Sequence, residues 1–262
     1  MALAIAYLFV PVNRPDRFDK ALGSGADDII LDLEDAVDTA GKDAARTAIG
    51  AWLDSDHRPS GHVLVRINDD TIPRFADDLE LLRRVQPVGA VLPKSEQAEQ
   101  IARVAEALGP SGIVVPLIET ARGLRAVDEV AATDRTQRLT FGTLDFAVDL
   151  DLSGDERGLI YPVMTIALAS RCAERAPPIA GVTSAIDDDG ALSRDLAFAR
   201  AVGFTARLWV RRVPVPSEGE IDRARRVLGA AEGSAGVIHL DGRMVARPAL
   251  FKMKSILERA HA

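Results

Sequence analysis

Seven apolar segments of this chain end in charged or polar residues, and those endings are where chemistry can be carried. The run DIIL leads into Asp32-Leu33-Glu34-Asp35, HVLV into Arg66-Ile67-Asn68, and GAVL into Pro93-Lys94. IVVPLI ends at Glu119, RLTF at Gly142-Thr143-Leu144-Asp145, IAGV at Thr183 ahead of Asp187-Asp188-Asp189, and ARLWV at Arg211-Arg212. Turns are rich in Asp and Asn for conformational reasons alone. Glu34, Arg66, Glu119 and Asp145 stand apart because each follows an apolar run closely. A carboxylate there must be paired, hydrogen-bonded or metal-bound. Glu119 and Asp145, on successive segments without a neighbouring His or Cys, suit a hard cation. Mg²⁺ takes one or two protein carboxylates and fills its shell with water and substrate oxygens. Arg66 facing that cation would clamp a carboxylate. Cation and arginine together select a small anionic, oxygen-rich substrate such as a 2-oxo or 2-hydroxy acid.

Other reactive types form no such set. His57 and His62 flank a Pro-Ser-Gly loop and read as solvent-exposed. His239 and His261 lie in the tail. No GxSxG elbow or Ser-His-Asp order occurs. Cys172, the only cysteine, reads as a small buried hydrophobe and rules out an internal disulfide and a Cys-rich zinc site. The basic residues Arg207, Arg211, Arg212, Arg223, Arg225 and Arg226 read as a solvated or salt-bridged face.

The elements that must position these groups alternate strictly. Strand-type runs fall at 5–10, 28–33, 62–67, 88–92, 113–118, 138–142, 179–183 and 206–210. Helical patterns fall at 15–23, 42–54, 74–85, 95–108, 120–133, 156–175 and 190–202. Caps or first-turn prolines mark several starts: Pro15, Pro73, Ser95 and Thr120. The runs are short, β-branched and nearly unbroken, as when both faces are buried. Eight such units in 262 residues predict a (β/α)₈ TIM barrel, whose chemistry sits at the C-terminal strand ends. A doubly wound sheet lacks its phosphate-binding glycine turn here. We read 1–215 as the barrel and 216–262 as a C-terminal helical extension or lid, with helical patterns at 217–234 and 243–260 and a short strand near 237–240.

Composition sets the outer limits. Hydrophobic residues are 47%, charged residues 27% and the net charge is −7, which argues against nucleic acid or an anionic membrane surface as partner. No apolar run reaches a membrane span. The apolar N-terminus lacks a basic leader and reads as a first strand. The expectation is a cytoplasmic protein acting on small molecules.

The segments YLFVPVNRPDRF (7–18), GADDIILDLEDAV (25–37), VRIN (65–68), VLPKSE (91–96), PLIETARGL (116–124), LTFGTLDFAVDLDL (139–152), PPIAGVTSAIDDDGAL (177–192) and DGRMVARP (241–248) together resemble the citrate lyase β-subunit-like proteins of the HpcH/HpaI aldolase superfamily. The resemblance implies a TIM barrel with a C-terminal extension, assembled as a homotrimer or hexamer. It implies Mg²⁺ on Glu119 and Asp145, catalytic or substrate roles for Glu34, Asp35 and Arg66, and substrate contacts from Asn68, Gly142 and Thr143. The implied reaction is reversible cleavage of a 3-hydroxyacyl-CoA of the citramalyl-, citryl- or malyl-CoA type to a 2-oxo acid and an acyl-CoA. Ionisation of the hydroxyl and collapse of the alkoxide break the carbon–carbon bond, with Arg66 and the cation meeting the developing charge. An acid then protonates the enolate carbon.

The chain departs from that pattern at the thioester and lid end. Ile5-Ala6 stand for Arg-Ser, Val12 for Gly, Val163-Met164 for Arg-Ser, and Val210-Arg211-Arg212 for Ile-His-Pro. Met244-Val245-Ala246 replaces a motif ending in a lid aspartate. Two alternatives therefore stand beside the lyase: a metal-dependent aldolase on a CoA-free 2-oxo acid, and a non-catalytic oxo-acid-binding homologue.

Overall fold

The computed structural model describes residues 3–55, 63–152, 156–183, 188–210, 222, 225–229, 238–240 and 243–245. Eight parallel strands close into a barrel: β1 (Ala6–Pro11), β2 (Asp28–Asp32), β3 (Val63–Arg66), β4 (Gly89–Leu92), β5 (Ile113–Ile118), β6 (Thr140–Phe141), β7 (Ile179–Ala180) and β8 (Ala206–Trp209), with β8 pairing back onto β1. All eight expected strands are present, and the TIM barrel is the observed architecture.

Side-chain alternation along these strands makes two cores. Tyr7, Ile30, Leu64, Val91, Val115, Leu117, Ile179, Ala206 and Leu208 fill the barrel interior. Their sequence neighbours, among them Leu31, Val65, Ile118 and Phe141, pack outward against the helices. The same period of two carries the inward face onward to Phe9, Asp32, Arg66 and Glu119 at the C-terminal ends. Register confirms the level, because Asp32 on β2 lies opposite Arg66 on β3.

The outer ring comprises α1 (Phe18–Leu22), α2 (Lys42–Leu53), α3 (Arg74–Val85), α4 (Ala98–Leu108), α5 (Ala121–Arg125), α6 (Val127–Ala132), α7 (Thr143–Asp149), α8 (Ile160–Cys172) and α9 (Asp189–Ala201). Thr120 caps α5 by accepting from the Gly123 N–H at 3.0 Å, as its type predicts. Ser95 does not cap α4. It is buried against the Leu92 carbonyl, and Gln97 with Gln100 forms the capping box further along.

Four further expectations change. The pattern over 120–133 is broken at Ala126 into α5 and α6. The run after β6 turns directly into α7, a helix too short to show a clear period. Residues 243–245 form β10 (Arg243–Val245), antiparallel to β9 (Ile238–Leu240), where a helix was expected. The strand near 237–240 is observed as β9. Cys172 is exposed rather than buried, because α8 turns Ile166, Ala169 and Ser170 inward and ends at that residue. His57, His62, His261, Asp187, Arg211, Arg212, Arg223 and Ala246 lie outside the described residues. Among the described residues no helix is long and apolar enough to cross a membrane.

Candidate active site at the C-terminal mouth of the barrel

The site is organised around Arg66, at the end of β3. Its Nε and Nη2 donate to the two carboxylate oxygens of Asp32, both at 2.7 Å. This fork-to-fork pairing holds the guanidinium plane fixed. Its Nη1 lies 2.8 Å from Glu34 Oε2 and 3.2 Å from Asp35. The Phe9 ring closes one face of the guanidinium, 4.7 Å away. Burial works against the charge, but the Asp32 hydrogen bonds and the surrounding carboxylates override it and hold Arg66 protonated.

The Glu34 side chain is largely shielded, 12% exposed. Its Oε2 is close to Arg66 but off the N–H direction, and is buried without a hydrogen-bond partner among the described residues. Burial, with the neighbouring charges of Asp35 and Asp32, pushes its carboxyl up to about 7 against the pull of Arg66 and Lys94. Asp35, next in sequence, is 69% exposed and sits at the rim.

Glu119 follows β5 and is 2% exposed. Its Oε1 accepts the Lys94 backbone N–H at 2.9 Å. Lys94 reaches that geometry through a left-handed backbone, φ 43°, unusual for a residue with a side chain. Its ammonium turns instead to Asp69, at 3.0 Å. The other Glu119 oxygen lies against Gly142. A Cβ at Gly142 would come within 2.6 Å of both Glu119 Cβ and Oε2, so this position requires glycine. Burial first, then the charges of Glu34 and Asp145, raise the Glu119 carboxyl to about 8. Asp145 is exposed in the first turn of α7, near enough for its charge to act on Glu119.

The mouth therefore brings Glu34, Asp35, Arg66, Glu119, Gly142 and Asp145 together. Thr143 lies beside Gly181, whose added Cβ would meet Thr143 Oγ1 at 2.8 Å. Asn68 is placed differently. It is 1% exposed, its carboxamide oxygen accepts from Lys42 Nζ, and its Nδ2 donates to Asp78 at 2.6 Å. Both ends of the amide are spent inside the wall, because the chain bends after β3 and turns this side chain toward α2 and α3. Lys42 also donates to the carbonyls of Leu33 and Glu34, and Arg46 donates to Asp78 at 2.8 Å. This buried network fixes the loop that presents Glu34.

Sequence reasoning quoted Asp32 and Lys94 without giving them roles, and gave none to this network. The signal for Asp32 was there: it shares the inward face of β2 with Ile30. Further ties join the loops, from Thr120 to Glu96 at 2.7 Å and from the Ala121 N–H to Asp149 at 2.7 Å.

Glu119 and Asp145 offer a divalent cation two oxygen-bearing side chains, leaving the rest of its shell to water and substrate; among the described residues no group of three or more His, Cys, Asp or Glu is gathered for a metal. Among the described residues, Glu119 has no Lys or Arg side chain paired with it, and Glu34 keeps an orphaned oxygen. Burial raises both carboxyls. All are hard oxygen donors, as Mg²⁺ prefers.

The HpcH/HpaI aldolase/citrate lyase family matches residues 6–211. The chain belongs to that family. Within it, the chain is 35% identical to a citrate lyase subunit beta-like protein of Mycobacterium tuberculosis, over 97% of this chain and 94% of that one. It is 27% identical to a (3S)-malyl-CoA thioesterase of Cereibacter sphaeroides, over 97% and 94%. Its barrel superposes on the M. tuberculosis protein CitE in complex with magnesium, acetoacetate and coenzyme A. The TM-score there is 0.73, with 33% identity and full coverage of both chains.

Proposed function

We propose that this protein is a Mg²⁺-dependent carbon–carbon lyase that cleaves a 3-hydroxyacyl-CoA of the citramalyl-, citryl- or malyl-CoA type into a 2-oxo acid and an acyl-CoA. The observation that carries the reading is the pair of shielded carboxyls Glu34 and Glu119, both raised by burial, beside a rigid Arg66. The related CitE binds magnesium, acetoacetate and coenzyme A together, which supports both the cofactor and the substrate class.

Glu119 and Asp145 would hold the ion, which when bound supplies Lewis acidity toward the substrate's oxygens. Gly142 leaves the space that Glu119 needs. Arg66, locked by Asp32, offers Nη1 to the substrate carboxylate or to the oxygen on which negative charge develops, displacing Glu34 and Asp35 from that nitrogen. Glu34, poised near neutrality, is the group placed to take the hydroxyl proton. The electron pair of that O–H becomes the new carbonyl, the carbon–carbon bond breaks, and the enolate left on the acyl-CoA takes a proton. Asp35 and Thr143 stand where the substrate enters. Residues 216–262 are proposed as the extension over this mouth, the assembly as a homotrimer or hexamer, and the compartment as the cytoplasm.

Thioester hydrolysis is the second reading, favoured by the likeness to the malyl-CoA thioesterase. One experiment separates them. Citramalyl-, citryl- and malyl-CoA are incubated with enzyme and Mg²⁺, and 2-oxo acid and free thiol are both measured. The lyase yields 2-oxo acid without thiol, and Glu119→Ala abolishes it. Thiol without 2-oxo acid means hydrolysis. Neither product, with oxo acid still bound, means a binding protein.

A further inference from the structure

The outer helices α3 and α4 turn charge to the solvent. α3 exposes Asp77, Glu80 and Arg83, and α4 exposes Glu99, Arg103 and Glu106. α8 is different, because no charged residue occurs from 158 to 170. Val163, Ile166 and Ala169 pack inward, yet the outer side is apolar too, with Ile160, Tyr161, Met164 and Leu168. Tyr161, Met164 and Leu168 follow one another at helical spacing and form one stripe. A helix that is apolar all round belongs where it is covered on every side.

α7 extends this surface. Phe146 turns inward against Phe141, with ring centroids 5.2 Å apart, and Leu144 and Val148 are left outward. The two helices adjoin where the chain passes from one to the other, since an added Cβ at Gly158 would meet Leu152 at 3.6 Å. Val148 is 80%, Tyr161 73% and Leu168 65% exposed, and Ile160, Met164 and Leu144 are each about half exposed. At about 200 Å² for a whole large side chain, the six present on the order of 700 Å² of apolar surface. The largest apolar patch of an ordinary monomer is about 300–600 Å². Each partner in a stable, specific complex buries about 800 Å². The area is that of one side of an interface.

Charge selects the occupant. Nucleic acid or an anionic membrane calls for a basic rim. Here the rim carries both signs, with Asp149 and Asp151 at the end of α7 and Arg171 in the last turn of α8. An apolar centre with a rim of mixed sign is suited to a copy of itself, and every chain in solution presents the same face.

We propose that the α7–α8 face is the surface through which copies of this chain associate, with Tyr161, Met164 and Leu168 at its centre. The proposal rests on the self-association proposed above and is independent of the lyase chemistry. Leu144 adjoins Asp145 in α7, so a copy docked here borders the catalytic mouth.

The full chain is compared by sedimentation velocity, without Mg²⁺ or CoA, with Leu168→Glu, Met164→Lys and, on the outward side of α4, Ala102→Glu. All three positions are exposed, so the core is untouched, and circular dichroism checks folding. Met164→Lys carries the test if Leu168→Glu does not fold. Cys172, exposed one turn beyond Leu168 and the only cysteine, reports cover on the face through its rate of labelling by a bulky maleimide. Wild type and Ala102→Glu should sediment as the same assembly. Both α8 variants should dissociate at least tenfold more readily, because a charge is carried into an apolar contact, and Cys172 should label at least fivefold faster in them. Wild type sedimenting as a single chain up to about 100 μM overturns the face and the self-association together. Slow Cys172 labelling in that single chain would put its own 216–262 segment on the face instead. An assembly that both α8 variants leave intact, or that Ala102→Glu weakens equally, overturns the face alone. So does an assembly whose Cys172 labels as fast as in the dissociated variants.

Discussion

Adding Mg²⁺ to the metal-free protein should release protons, and the number released should fall as pH rises. Glu119 holds its proton to about pH 8 and Glu34 to about pH 7, because both are buried among like charges. At pH 6 the pair carries close to two protons, and it sheds them as a coupled pair between about pH 7 and pH 8. Stripping the two protons at pH 6 costs a few kcal/mol in all, at about 1.36 kcal/mol per pH unit. A dication within about 4 Å of a carboxylate, at an effective dielectric near 20, returns about 8 kcal/mol. The metal therefore wins, and both protons leave. Calorimetric titration in two buffers of different ionisation enthalpy counts them. Apparent Mg²⁺ affinity should strengthen steeply between pH 6 and 8 and flatten above it. Release below about half a proton at pH 6 would refute the reasoning. So would a Glu119→Gln variant that binds Mg²⁺ as tightly as wild type.

The same pair makes the metal-free fold pH-sensitive. Folded carboxyls with raised affinity bind more protons than the unfolded chain between its value of 4.5 and about 8, so stability falls as pH rises through that window. Thermal melting without Mg²⁺ should be higher at pH 6 than at pH 8, and Mg²⁺ should raise it more at pH 8; the opposite order contradicts the assignment. Asp32→Ala leaves buried Arg66 without its two-pronged partner and should cost about 3–5 kcal/mol in denaturant unfolding; a loss under about 1 kcal/mol would show the pair to be idle. Gly142→Ala drives a methyl into Glu119 and should weaken Mg²⁺ at least tenfold while the protein stays folded; unchanged metal affinity would detach Gly142 from the site. Asn68→Ala removes the side-chain donor to buried Asp78 and the acceptor of Lys42 and should cost about 1–3 kcal/mol of stability. Lost activity with full stability would instead place the amide on the substrate.

The barrel was legible because its signal is local and repeated. Each strand is a short apolar run, each helix an amphipathic pattern, and eight alternations leave few ways to close. The convergence of Glu34, Arg66, Glu119 and Asp145 followed from one rule, that parallel strands deliver their C-terminal ends to one side. Asn68 escaped that rule because side-chain direction past a strand's last residue is set by the turn, and the turn after β3 delivers it to Lys42 and Asp78. The 143–149 helix and the 243–245 strand were missed for a related reason, since so short a segment carries too few periods to declare itself.

Sequence by itself determined the architecture, the family likeness and the residue types at the mouth, because these depend on pattern and order along the chain. Tertiary structure decided how the charges divide among them. Only the closed barrel shows Asp32 taking two of Arg66's donors, the left-handed turn of Lys94 aiming an N–H at Glu119, and Gly142 leaving room for that carboxylate. Those facts rest on distances and burial between residues far apart in sequence. They set which carboxyls stay protonated and which nitrogen remains to meet a substrate.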